Sequence, residues 1–119
     1  MNTSKLFQFL SFSLESREMG HPLMYIVYLN LENSSLEEEK HVADGETLID
    51  AILAVVSSAV GKIWKHEVTL LKHQYNHGAA YVELQINGQV YSYRKHHKDF
   101  VRAFTEAFLC IFNRVNTHV

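Results

Sequence analysis

The chain has 119 residues, 47% of them hydrophobic and 20% charged, a length that can bury roughly two thirds of its unfolded surface in one core without disulfides. A formal net charge of -2 and a pI near 6.4 argue against a general nucleic-acid binder, which carries a basic excess. No apolar run approaches the roughly 20 residues that span a bilayer, and Cys110, the only cysteine, has no intrachain disulfide partner, which fits a reducing compartment and so the cytoplasm.

In chain order, "MNTSKLFQFLSFSLESREMG" interleaves Ser and Gln with apolar residues and has no small-residue cleavage site after a continuous apolar core, which reads against a secretory leader. Residues 5–14 alternate as a strand, and residues 23–32, "LMYIVYLNLE", form a second one rich in aromatic and β-branched side chains. Residues 33–35 read as a turn and 36–42 as a short peripheral strand, whose "EEEK" is a solvated stretch that discourages edge pairing. From Thr47 the period changes: Leu48, Ile49, Ile52, Leu53, Val56, Ala59 and Val60 recur at helical spacing, with Thr47 as cap and Gly61 as stop.

The second half repeats the order, with strands at residues 66–75, 79–86 and 89–94, a tight Asn87-Gly88 turn between the last two, and a helix over 98–113. In the middle strand Ala80, Val82, Leu84 and Ile86 face one way and Tyr81, Glu83 and Gln85 the other. The last helix buries Phe100, Val101, Phe104, Phe108, Ile111 and Phe112 and leaves Arg102 and Glu106 outside. Asp50-Ala51-Ile52 matches Asp99-Phe100-Val101, a spacing of 49 positions. The expected fold is therefore α+β: a single domain over 1–119, made of two βββα units at about 5–61 and 66–115 related by a pseudo-twofold, with two helices packed on sheet and one shared core.

"LFQFLSFSLES", "HPLMYIVYLN", "ADGETLIDAILAVV" and "HGAAYVELQINGQVYSYRKHHKDFVRAFTEAFLCIFNRV" together resemble, in order and spacing, the C-terminal allosteric and dimerisation domain of 2-isopropylmalate synthase and citramalate synthase. The resemblance covers nearly the whole chain. It implies a non-catalytic regulatory domain of branched-chain amino-acid biosynthesis, a homodimer or a partner for a synthase subunit, binding leucine or isoleucine between two copies near the joints before the helices. In that family the joints are glycine-rich; here Gly45 stands in the first with Thr47 and Leu48, and Tyr93, Lys95 and His97 replace two glycines and a capping serine in the second. A structural dimerisation module without ligand and a fragment of a full synthase are the alternatives.

No nucleophile-elbow, zinc-protease or phosphate-loop motif is present, and the family's condensation chemistry belongs to a separate barrel, so neither catalysis nor a cofactor is expected. His66, His73 and His77 share no face, and adjacent His96 and His97 point apart on a strand, so the eight histidines do not suggest a metal site. Cys110, within "FLCIF", reads as a buried small hydrophobe. Tyr75, Tyr81, Tyr91 and Tyr93 read as packing or an interface on the outer face of the second sheet, which predicts a homodimer. The run Arg94, Lys95, His96, His97, Lys98 meets the positive end of a helix dipole. It is either a solvated turn or a site at which Arg94, Lys95, His97 and Lys98 hold a small anionic or amino-acid ligand, together with Gly45, Thr47, Asp50 and Asp99 at the two helix starts.

Overall fold

The computed structural model describes residues 7–18, 23–60 and 67–117. Alternating apolar residues give β1 (Phe7–Glu18), β2 (Leu23–Asn33) and β3 (Glu38–Gly45), followed by α1 (Leu48–Val60); β4 (Val68–Asn76), β5 (Ala79–Ile86), β6 (Gln89–His96) and α2 (Phe100–Thr117) repeat the sequence. The fold is α+β with two βββα units, as expected. Its strands divide into two three-stranded antiparallel sheets, one per unit, ordered β1-β2-β3 and β4-β5-β6.

Both helices are largely buried. Among described side chains only Asp50 and Ser58 of α1, and Arg102 and Arg114 of α2, are exposed, the signature of a helix buried on several sides. Helix α1 lies on β2 and β3, α2 lies on β5 and β6, the helices touch each other, and α2 also touches β1. One core joins Val27, Leu29 and Leu31 of the first sheet, Ile52 and Val56 of α1, Val82 and Leu84 of the second sheet, and Phe104, Phe108 and Phe112 of α2. The Phe100, Phe104 and Phe108 rings stack in series at 4.7 and 6.3 Å.

The two units correspond more closely than the sequence spacing suggested, and in a different register. Thr47 caps α1 by accepting a bond from Asp50 N at 3.1 Å, and Asp99 caps α2 by accepting one from Arg102 N at 3.1 Å. Thr47 and Asp99, 52 positions apart, are thus equivalent, and the 49-residue match of Asp50 to Asp99 is corrected: Asp50 lies inside the first turn of α1 while Asp99 precedes α2. The same spacing of 52 superimposes the burial of Ile49, Ala51, Ile52, Val55 and Val56 on that of Val101, Ala103, Phe104, Ala107 and Phe108. In the first strands a bulge falls between Phe9 and Ser11, and another between Leu70 and Lys72. Bulged Leu10 and Leu71 are 61 positions apart, so loop-length differences defeat any single repeat spacing.

Local chemistry moves other boundaries. Strand β3 begins at Glu38 rather than 36, because Asn33 Oδ1 accepts bonds from Ser35 N and Glu37 N and holds the intervening residues as a turn. Within it Leu36 adopts φ 63° while 78% exposed. The "EEEK" stretch is not uniformly solvated: Glu39 is half-buried and accepts from Asn33 Nδ2 at 2.8 Å, with His41 Nε2 2.9 Å away. The turn at Asn87-Gly88 has both residues at positive φ, as does a second two-residue turn at His77-Gly78. Gly61, His66 and the ends of the first predicted unit lie outside the described residues.

Three of the four tyrosines are corrected. Register places Tyr75 opposite Ala80, Tyr93 opposite Val82 and Tyr91 opposite Leu84, so all three face the core. Only Tyr81 lies on the outer face, beneath the Arg94 guanidinium at 5.1 Å.

Candidate functional site

The two strand-to-helix joints close by different means. In the first, β3 ends so close to α1 that a Cβ on Gly45 would lie 2.7 Å from Ala51 N and 3.0 Å from the Asp50 carbonyl carbon. The space a glycine leaves is therefore filled by the first turn of α1 itself. In the second joint side chains hold the backbone. His97 N donates to Gly78 O at 2.9 Å, Tyr75 OH donates to His97 O at 2.7 Å, and His97 Nδ1 accepts from Asp99 N at 2.9 Å.

The expected anion cluster is not gathered there. Arg94 pairs in register with Tyr81 on the outer face, while Lys95 pairs with Ala80 on the inner face. His97 spends Nδ1 on the chain, Asp99 spends Oδ1 on its cap, and Lys98 and Asp50 stand exposed. Of the sequence-predicted residues, Thr47, His97 and Asp99 order the helix starts, Gly45 admits α1, and Lys95 leads elsewhere.

Lys95 leads to a cleft of about 270 Å³ between the start of β1 and one side of α2. Its Nζ lies 3.3 Å from Glu106 Oε1, and Arg102 Nε donates to Glu106 Oε2 at 2.9 Å, so one carboxylate is shared by two cations. The Arg102 guanidinium also lies over the Phe9 ring at 4.8 Å. At the far end buried Asn113 is bonded at both ends of its amide to Phe7, accepting from Phe7 N at 3.2 Å and donating to Phe7 O at 2.9 Å. That bidentate clip fixes β1 against α2 and sets the width of the cleft.

Burial alone would raise the Glu106 carboxyl, but hydrogen bonds from Arg102 and Lys95, with their charges, more than offset it and hold the group below the ordinary carboxylate range. Cys110 is half-buried and lines the cleft instead of disappearing into the core. Its hydrogen bond with Tyr93, with its negative form nearby and some burial, pushes the Tyr93 phenol upward.

The sequence reading places Glu106 and Arg102 outside the buried face and assigns Asn113 no site role. A signal was present: Arg102, Glu106 and Cys110 recur every four residues, with Asn113 three further on, a line of polar and thiol side chains along one side of the helix. Among the described residues no group of three or more His, Cys, Asp or Glu could hold a metal ion, and no helix is long and apolar enough to cross a membrane. No protein-family model matches the chain, and no curated protein matches it either.

Proposed function

We propose that the chain is a non-catalytic allosteric and dimerisation domain of the kind found at the C-terminus of 2-isopropylmalate synthase and citramalate synthase, sensing a small amino or keto acid in the cytoplasm. It works as a homodimer or beside a synthase subunit. The observation that supports this best is the duplicated βββα unit, with caps at Thr47 and Asp99 and bulges at Leu10 and Leu71 in matching places. That duplication is the architecture the resemblance implies. The dimer no longer draws on outward tyrosines. It draws on the four edge strands β1, β3, β4 and β6, which carry exposed Leu10, Val42, Leu71 and Val90 respectively.

A second reading, a dimerisation module with no ligand at its joints, is favoured by the filled space at Gly45 and the dispersal of Arg94 and Lys95 to opposite faces. Light scattering at micromolar concentration should find a dimer, and the purified chain should form neither 2-isopropylmalate nor citramalate from acetyl-CoA and the matching keto acid. A monomer would remove the dimerisation role, and product formation would overturn the non-catalytic one. Leucine or isoleucine at 100 times its dissociation constant should add about 2.7 kcal/mol of stability under the first reading and nothing under the second.

A further inference from the structure

The charged line of α2 beside β1 has no counterpart on α1. At the helix and third-strand spacing of 52, Ala43 stands in the first unit where the second has Lys95, Ala54 where it has Glu106, Asp50 where it has Arg102 and Ser58 where it has Cys110. Two small apolar side chains serve one βββα unit at a position where the other carries an ion cluster. The Lys95 and Arg102 side chains are 35% and 44% exposed, so their pairing with Glu106 contributes little to the fold and the cluster is a poor device for holding strand to helix.

We propose that the cleft between β1 and α2 is a binding site for a small aliphatic monocarboxylate. Lys95, Arg102 and Glu106 together leave one positive charge, which a single carboxylate neutralises. In the described bonds Lys95 uses one of three ammonium donors and Arg102 one of five guanidinium donors, so both keep hydrogens for a ligand. Glu106 is a positioning residue: its two oxygens hold the cations side by side. Glu106 is already shared by two cations and is the one carboxylate among the described lining residues, so an ammonium group gains little there and a zwitterion is disfavoured against a simple acid. Phe7 and Phe9 of β1 and Leu109 of α2 give the cleft its apolar part. At about 270 Å³ the cleft lies just below the roughly 300–1,000 Å³ of sites for drug-sized molecules, which suits a short chain.

The proposal stands on the cleft and not on the dimer or on leucine sensing, so failure of either leaves it intact. Its test is calorimetric titration of the full chain with hexanoate, with hexanamide, with 2-aminohexanoate and with acetate. Hexanoate should bind saturably, and the other three should bind about tenfold more weakly or not at all. Lys95→Met should weaken hexanoate about tenfold or more through loss of a charge-assisted contact. Cys110→Phe, which fills the cleft without altering a charge, should abolish binding, while Lys98→Met at the exposed joint should change nothing. Circular dichroism checks that each variant is folded. Absence of saturable hexanoate binding to the unmodified chain overturns the site. So does retention of affinity in folded Cys110→Phe, or equal loss in Lys98→Met, which would return the anion to the joint. Preference for 2-aminohexanoate or for acetate overturns the assigned chemistry.

Discussion

The two strand-to-helix joints occupy equivalent places in the two units and reach the same geometry by opposite routes. The first is closed by subtraction: Gly45 has no side chain, and α1 packs into the vacated space. The second is closed by addition, with His97, Tyr75 and Asp99 each supplying a bond to the backbone. One topology thus tolerates quite different sequences at its tightest point, provided the orphan groups at the helix start find partners. Just before the second joint, strand alternation turns Lys95 inward toward α2.

This contrast can be broken most sharply at Gly45. Gly45→Ala should cost about 3 kcal/mol, since the new methyl meets backbone that can yield only by displacing α1. His97→Ala, at the equivalent position, should cost only about 1 kcal/mol for a lost hydrogen bond. Urea unfolding midpoints give both, and equal costs would end the distinction.

The caps come next. Thr47→Ala and Asp99→Ala should each cost about 1 kcal/mol, whereas Asp50→Ala should cost about 0.3 kcal/mol, its only asset being proximity to the helix dipole. If Asp50 matched Asp99 in effect, the 49-residue register would be restored.

The third difference is the ion cluster that only the second unit carries. Glu106→Gln should destabilise by about 1 kcal/mol at neutral pH, kept small because Lys95 and Arg102 are partly solvated. Since the folded carboxyl is held below its usual value, its contribution is present above that value and is lost as pH falls through the folded one. Wild-type and variant denaturation curves should therefore converge below pH 4.5. Ala54, the counterpart in α1, offers no such pH dependence.

The smallest effect concerns the connection that lengthens the first unit relative to the second. Leu36→Gly should stabilise the protein by about 0.5 kcal/mol, because leucine at φ 63° is strained and this one packs little. In calorimetric thermal scans that read out Leu36→Gly, Asn87→Gly should show no gain, since asparagine accepts positive φ more readily and its Oδ1 also accepts a bond from Glu67 N at 3.2 Å.

Periodicity and turn chemistry were sufficient to read the element order, the cap at Thr47, the Asn87-Gly88 turn and the division of β5 into two faces from the sequence, because each depends on neighbours within a few positions. The βββα duplication was legible for the same reason. Its register was not, since bulges and unequal turns shift the strands by different amounts, and only the paired caps and bulges reveal which residues correspond. The orientation of Tyr75, Tyr91 and Tyr93 also escaped, because alternation states which residues share a face but not which face meets the helix. The joint cations illustrate the same limit: adjacent Arg94 and Lys95 are one charge patch in the sequence and lie on opposite sides of a sheet in space. Sequence separation hid the cleft most completely, for Phe7 and Asn113 stand 106 positions apart. Their meeting depends on α2 crossing from its own sheet to β1, a contact set by how the two apolar faces share one core.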